Sequence, residues 1–180
     1  MSNTSKIILN SKQLNLTINR LSFEIIENLK NVNNTVVVGM QPRGVLLSKK
    51  IHNLLESNTA QKIKFGYLDT TFFRDDFRRR QDVILPNHTS IDFSLEGMNV
   101  ILIDDVLFTG RSIRSALDAL VSFGRPDSVE LLVLIERRFS RELPIQPKYI
   151  GKSIDVIDNE YVVVNLDTKN NNVILLNKKT

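Results

Sequence analysis

Two adjacent acids followed by a short Thr-Gly loop form the clearest chemical pattern in the chain. Four apolar residues, 100–103, lead directly into Asp104 and Asp105, and Thr109-Gly110 follows a few residues later. Beyond the loop, the apolar residues take the spacing of an amphipathic helix. In an open α/β sheet, ligands bind beyond the carboxyl ends of the strands, and this strand-to-helix turn would lie there.

The residue types in this turn suit a ligand that carries both a phosphate and hydroxyl groups. Gly110 would let the backbone approach the ligand closely, and Thr109 and Ser112 offer hydroxyl groups as hydrogen-bond donors. The free amides at the start of a helix favour binding of an anion. Acids beside a phosphate would repel it unless they bind something else, and the hydroxyls of an attached sugar are a natural target. The alternative is a solvated strand end before an ordinary capped helix. The paired acids, the nearby Thr-Gly and the adjoining Arg111 favour the sugar-phosphate site.

The elements that would position this loop follow from hydrophobic periodicity. Three segments have the three- and four-residue spacing of amphipathic helices, the first capped by Asn10 or Ser11: 14–29, 44–55 and about 112–122. Four segments are short and apolar, or alternate as strands do: 35–38, 62–68, 100–103 and 129–135. The tail adds short strands near 154–157, 161–166 and 173–176. This alternation predicts a mostly parallel sheet with helices on both faces.

Length and composition indicate one domain of ordinary size. The 180 residues are 42% hydrophobic and 24% charged, as in globular proteins generally, and the net charge of +4 is modest. The absence of cysteine excludes disulfide frameworks, thiolate metal sites and cysteine nucleophiles. No apolar signal segment follows Met1 and no apolar run approaches membrane-span length, so we expect a cytoplasmic protein.

The run at 100–112, VILIDDVLFTGRS, resembles the motif with which type I phosphoribosyltransferases bind phosphoribosyl pyrophosphate (PRPP). Five more segments resemble the PyrR family, in the same order: VGMQPRG at 38–44, LDTTFFRDD at 68–76, GRP at 124–126, RELP at 141–144 and YIGK at 149–152. That family comprises pyrimidine-operon regulators that also have uracil phosphoribosyltransferase activity. The resemblance implies a single α/β domain over residues 1–180, with a mobile flap at about 70–98 and a small C-terminal β-rich hood.

The resemblance also assigns roles to individual residues. Asp104 and Asp105 would hold the ribose hydroxyls, and together with Arg137 they would form the catalytic group. Glu136 and Arg137 would lie near the base. Pro42, Arg43 and Gly44, which follow the first predicted sheet strand, would bind the pyrophosphate. The whole PRPP site would comprise Pro42, Arg43, Gly44, Arg74, Asp104, Asp105, Val106, Leu107, Phe108, Thr109, Gly110, Arg111 and Ser112.

Other charged and titratable residues have weaker assignments. Arg74 and the basic run 78–80 lie in the expected flap. The run 78–80 fits a role in ligand binding and a solvated stretch of charges equally well. The acids and histidines lack the spacing of a protein metal site, so we expect Mg²⁺ to arrive bound to PRPP, with no metal site of the protein's own. His52 and His88 are expected to be structural or solvated.

The chain departs from the family pattern in two places. The family run Asp-Arg-Gly-His-Arg-Glu-Leu-Pro is replaced by ERRFSRELP at 136–144, which alters the expected base pocket. Positions of the first helix that contact RNA in regulatory members hold Leu16, Asn19 and Phe23, although Arg20 and Lys152 remain. Fewer cationic contacts to phosphate predict weaker RNA binding.

The sequence is consistent with three functions. The leading hypothesis is transfer of ribose 5-phosphate from PRPP to uracil, giving UMP and pyrophosphate. The second is an RNA-binding regulator that senses UMP or PRPP and controls pyrimidine operons by transcription attenuation. The third is a phosphoribosyltransferase for another base. The resemblance also implies a homo-oligomer, a dimer or a higher assembly.

Overall fold

The computed structural model describes residues 5–29, 31–73, 88–156, 160–166 and 171–177. Within them lie three α-helices: α1 (Ser11–Asn28), α2 (Gly44–Thr59) and α3 (Arg111–Leu120). The strands are β1 (Ser5–Leu9), β2 (Thr35–Met40), β3 (Lys64–Leu68), β4 (Asn99–Leu107), β5 (Ser128–Arg138), β6 (Tyr149–Asp155), β7 (Glu160–Asn165) and β8 (Asn172–Asn177). Short 3₁₀ turns occupy Val32–Asn34, Thr71–Phe73 and Val121–Phe123.

The centre of the molecule is a five-stranded parallel sheet with the order β3-β2-β4-β5-β6. Strand β2 is buried along its whole length, which explains why it reads as an unbroken β-branched run in the sequence. The predicted α/β class with a mostly parallel sheet is confirmed.

Both faces of this sheet are covered by helices. Alternate residues of β4 point to opposite faces: Ile101 and Ile103 join the core under α1 and α2, whereas Val100 and Leu102 join the core under α3. The sheet is thus packed between two apolar layers. Its strand ends are the part of the sheet that remains accessible to a ligand.

Helix α1 begins at the predicted cap. The Gln13 amide donates to Asn10 Oδ1 at 2.9 Å, and the Asn10 amide donates to Gln13 Oε1 at 3.0 Å. This reciprocal capping box satisfies two amides that the helix itself leaves without partners. Asn10, rather than Ser11, is therefore the cap.

Strand β4 is longer than its apolar run. The prediction ended it at residue 103, but the ladder with β5 continues to the pair Leu107–Glu136, so Asp104 and Asp105 lie within the strand. Acidic residues normally mark a solvated strand end, and in this case the neighbouring strand keeps the backbone extended. The prediction of the strand's end was therefore wrong.

The hood is a separate antiparallel sheet with the order β1-β8-β7. It includes an N-terminal strand, β1, that the sequence analysis missed, so the hood is not wholly C-terminal. Conversely, the tail strand expected near 154–157 begins within β6, which runs from Tyr149 to Asp155 in the parallel sheet, and residue 157 lies outside the described residues.

The described ends of the expected flap pack against the sheet. Leu95 and Met98 are buried in the α3-side core, and Ser90 pairs with Tyr67 of β3. Arg74 and the run 78–80 lie outside the described residues. Among the described residues, no helix combines the length and apolar composition needed to span a bilayer.

Candidate functional site: a cleft between the sheet and the hood

The predicted site residues converge at one edge of the parallel sheet. Residues 42–44 follow β2, Asp104 and Asp105 lie near the end of β4, and Glu136 and Arg137 lie near the end of β5. The hood packs over this edge, and an open cavity of about 320 Å³ lies between the two. Its walls are Pro42, Arg43, Leu46, Asp105, Tyr161, Val162, Val163, Val164 and Leu166.

The turn after β2 places a cationic side chain at the mouth of this cavity. The Gln41–Pro42 peptide is cis, and Pro42 and Arg43 are exposed. Gly44 begins α2 directly against β4, where an added Cβ would lie 2.5 Å from the carbonyl oxygen of Ile103. Only glycine allows this approach, which places the Arg43 guanidinium close enough to act on the acids of β4.

The two acids of β4 form a desolvated pair. Asp105 is 6% exposed, and its amide donates to Asp104 Oδ1 at 2.9 Å. Desolvation, and then the negative charge of Asp105, raise the pKa of Asp104 well above its ordinary value. Desolvation also raises the pKa of Asp105, against the opposing effect of the Arg43 charge. Such carboxyls are stabilised by a ligand that supplies hydroxyl donors or positive charge.

The loop after β4 has the backbone shape of an anion site. Gly110 precedes the first residue of α3 with a φ of 91°, a conformation that favours glycine. Thr109 Oγ1 accepts from the Arg111 amide at 3.4 Å, and Ser112 lies in the first helical turn. The start of α3 therefore faces the loop with main-chain donors and the positive end of its dipole.

Not every residue of the predicted PRPP motif presents a side chain to a ligand. Leu107 is 1% exposed and packs in the α3-side core, and Val106 packs against the core on the other face. Any contact from these two would be made by their main chain. Phe108, in contrast, is 45% exposed.

The predicted base end carries a network of paired side chains. Glu136 accepts from Arg141 Nη2 at 3.2 Å and from Ser153 Oγ at 2.8 Å. The guanidinium carbon of Arg137 lies 3.9 Å from the centre of the Phe108 ring, so a cation–π contact joins the base end to the phosphate loop. Sequence reasoning missed Arg141 and Ser153 because their contacts, including that of Arg141 with the carbonyl oxygen of Phe108, form only when separate strands lie side by side.

The histidines and the first-helix surface agree with the sequence analysis. His52 Nε2 lies 2.8 Å from the carbonyl oxygen of Ile63, and its ring packs on Phe65, which confirms a structural role. His88 is exposed. On α1, Leu16 and Phe23 are 62% and 50% exposed and present apolar surface.

The cations expected to remain near α1 make contacts within the protein. Arg20 donates to Glu24 and to the carbonyl oxygens of Ile150 and Gly151, and Lys152 donates to the carbonyl oxygen of Ile8. Part of their donor capacity is thereby used between α1, β6 and the hood.

Comparisons with known proteins agree with this architecture. Residues 4–170 match the family model of the phosphoribosyl transferase domain. A solved structure of hypoxanthine phosphoribosyl transferase from Trypanosoma cruzi has a TM-score of 0.75 at 15% identity, covering 98% of this chain and 93% of that chain. The fold and the domain define a type I phosphoribosyltransferase.

Curated relatives narrow this class. "Bifunctional protein PyrR" of Caldicellulosiruptor bescii is 42% identical over 166 residues, 92% of this chain and 91% of the relative. "Pyrimidine operon regulatory protein" of Lactococcus lactis subsp. cremoris is 40% identical over 174 residues, 97% of each. The chain belongs to the PyrR family, as its motifs predicted.

Proposed function

We propose that the protein transfers ribose 5-phosphate from PRPP to uracil, with UMP and pyrophosphate as products. The observation that carries the proposal is the meeting of three features at one edge of the parallel sheet. These are the acid pair of β4, the glycine loop before α3, and the turn with Arg43 after β2. Together they complement a sugar that bears a phosphate at one carbon and a pyrophosphate at another.

The acid pair would bind the sugar. Carboxylate oxygens of Asp104 and Asp105 accept hydrogen bonds from the ribose 2′- and 3′-hydroxyls, and these replace the water that the pair loses on burial. This fixes the ring and aligns carbon 1 between the base and the leaving group. Alignment of this kind lowers the barrier by supplying orientation in advance.

The two loops would bind the charged ends of PRPP. The amides of Thr109 and Gly110, the Ser112 hydroxyl and the α3 dipole bind the 5′-phosphate. Pro42 and Gly44 bring the backbone to the pyrophosphate, and Arg43 supplies a guanidinium that fits its oxygens. When the bond from carbon 1 to pyrophosphate breaks, this positive charge stabilises the departing group.

Mg²⁺ would accompany PRPP. The carboxylates at this edge, Asp104 and Asp105, suit a hard cation chemically, but in the proposed complex their oxygens bind the ribose hydroxyls. PRPP oxygens and water would then supply the ligands, as Mg²⁺ prefers. The ion would neutralise part of the pyrophosphate charge.

The base would lie near Glu136 and Arg137. Because Arg137 also packs on Phe108, a base bound at this strand end would adjoin the phosphate loop. The altered run at 136–140 makes the choice of base the part of the proposal to test first.

The deciding experiment incubates the protein with PRPP, Mg²⁺ and each of uracil, hypoxanthine, guanine, adenine and orotate, and separates the nucleotides formed. We expect UMP from uracil and background levels from the other bases. Product from another base, with none from uracil, would replace uracil in the proposal. No product from any base, while UMP still binds, would remove the transferase activity.

A second candidate function is regulation of pyrimidine operons through RNA. It is supported by the relatives named "Bifunctional protein PyrR" and "Pyrimidine operon regulatory protein". Two observations argue against tight RNA binding. The α1 surface is apolar at Leu16 and Phe23, and Arg20 already makes contacts within the protein. A filter-binding titration with pyrimidine-operon leader RNA at low salt, with and without UMP, tests it. Binding that tightens with UMP supports the function, and absence of binding eliminates it.

A further inference from the structure

Residues 141–145, with the sequence RELPI, form a segment that we call the brace because it lies directly against the phosphate loop. The PRPP motif ends at Ser112, so the sequence motif does not include the brace. Arg141, Glu142 and Leu143 hydrogen-bond to the loop, and Leu143 and Ile145 also pack against it. The brace is thus part of what determines the shape of the loop.

The first contact acts on the peptide between Thr109 and Gly110. The Thr109 carbonyl oxygen accepts from the amides of Glu142, at 3.0 Å, and Leu143, at 3.2 Å. This peptide is trans, so its carbonyl and its N–H point in opposite directions. Holding the carbonyl toward the brace therefore directs the Gly110 N–H to the other side of the loop.

The second contact acts on the preceding peptide in the same way. Arg141 Nη1 donates to the carbonyl oxygen of Phe108, which directs the Thr109 N–H away from the brace. Two successive amides are thereby turned to the same side, and successive N–H groups of this kind form an anion-binding concavity. The other arm of the guanidinium, Nη2, bonds Glu136 at 3.2 Å.

Two more contacts hold the brace in place. Glu142 Oε2 lies 2.6 Å from Arg111 Nε at the start of α3. Leu143 and Ile145 pack on Gly110 so closely that an added Cβ would lie 3.1 Å from Ile145 Cγ1. The position of the brace relative to the loop is therefore set by polar and apolar contacts together.

We propose that Arg141 is a positioning residue that orients the amides of Thr109 and Gly110 toward the 5′-phosphate. The inference rests on the proposed function for the identity of the ligand, but the orienting contact itself involves only residues of this chain. Arg141 does not need to touch the phosphate. It acts through the Phe108 carbonyl, and its bond to Glu136 anchors it at the base end.

The test is a titration of the whole protein with inorganic phosphate, followed through the backbone amide resonances of Thr109 and Gly110. We expect Arg141→Gln to raise the phosphate Kd about tenfold, as loss of one charge-assisted hydrogen bond does. Arg138→Gln is the matched control, because Arg138 pairs with Asp155 and its substitution also removes one positive charge. We expect that control to change the Kd less than about twofold.

Arg141→Lys separates orientation from charge. A lysine keeps the positive charge but offers one ammonium group, so it cannot hold the Phe108 carbonyl and Glu136 as a fork does. We expect its phosphate Kd to stay several-fold above that of the wild type. Full recovery in this variant would overturn the proposal, because charge alone would then explain Arg141. This variant also serves if Arg141→Gln does not fold.

The remaining outcomes separate this inference from the proposed function. Unchanged phosphate binding in both Arg141 variants overturns the positioning role and leaves the transferase proposal standing. A wild-type protein that binds phosphate through these amides but makes no UMP from uracil removes the proposed function and leaves the positioning role. A wild type whose two amide resonances do not respond to phosphate overturns the positioning role.

Discussion

The phosphate loop and the base end lie at the ends of neighbouring strands, yet they are built differently. At the phosphate loop the chemistry belongs to the backbone of Gly110 and to the acid pair of β4. At the base end it belongs to side chains that already have partners, such as Glu136 with Arg141 and Ser153. The first kind of site tolerates few residue types, whereas the second can be rebuilt by exchanging partners.

This difference explains which part of the site keeps the family pattern. A backbone site needs glycine where φ is positive, so its sequence is constrained locally. A paired side chain needs only a partner of matching charge and reach. The run at 136–140 can therefore differ from the family while the fold beside it persists.

The largest effect should come from Gly110→Val. A β-branched residue at a φ of 91° is strained, and its Cβ would press on Ile145. We expect phosphate and UMP affinity to fall on the order of 100-fold, measured by calorimetry. Gly97→Ala is the control, since its φ is also positive but an added Cβ meets only Asp127 Oδ1 at 4.0 Å. Equal losses of phosphate affinity in both variants would show that the effect does not depend on the backbone conformation of the phosphate loop.

Asp104→Asn should be next in size. We expect kcat/KM for PRPP to fall about 10- to 100-fold in the base assay, because a charged acceptor for a ribose hydroxyl is lost. Wild-type kinetics would show that the acid pair does not bind the sugar.

The same variant should have a distinct pH dependence of stability. Because the folded-state pKa of Asp104 is raised, its contribution is intact below the ordinary value of 3.8 and is lost as pH rises through the folded pKa. The variant avoids this loss. Its free energy of unfolding in urea should therefore increase relative to the wild type as the pH rises above 3.8. A constant difference would contradict the raised pKa.

Glu136→Gln addresses the base end and should cost less. The substitution keeps an acceptor for Ser153 but removes the charge facing Arg141, whose side chain is 22% exposed. We expect the free energy of unfolding to fall by about 1 kcal/mol, measured by urea denaturation. Asp155→Asn breaks the more exposed pair with Arg138 and should cost less than about 0.5 kcal/mol. The reverse order would show that the paired network at Glu136 is not what holds the base end.

The smallest effect should be a gain in stability from Phe139→Gly. Phe139 is 91% exposed and has a φ of 62°, so glycine should stabilise the fold by about 0.5–1 kcal/mol in the same assay. Ala60→Gly, at a φ of 54°, should give a similar gain at the end of α2. An unchanged KM for uracil in Phe139→Gly would place Phe139 outside the base pocket, and a raised KM in that variant would place it within.

Sequence analysis predicted the parts of the fold that depend on local pattern. The buried run of β2, the apolar stripe of α1 and a cap at Asn10 or Ser11 are all readable within a few residues. The motif around Asp104 and Gly110 is equally local, so the sequence alone predicts it.

What sequence analysis missed depends on contacts between distant segments. Strand β1 is too short to be recognised until β8 pairs with it, and β4 extends through its acids only because β5 lies alongside. The role of Arg141 is of the same kind. Its partners, Phe108 and Glu136, come together only when β4 and β5 are adjacent.

The strand order of the hood has a consequence for the sequence of folding events. Strand β8 lies between β1 and β7, so segments from opposite ends of the chain must meet before the hood sheet exists. Such non-local pairing carries a large loop-closure cost and forms late. During synthesis the parallel sheet can assemble first, while β1 remains unpaired until β8 has been synthesised. The cavity wall on β7 needs only its neighbour β8, so the pairing of β1 with β8 completes the hood without rebuilding that wall.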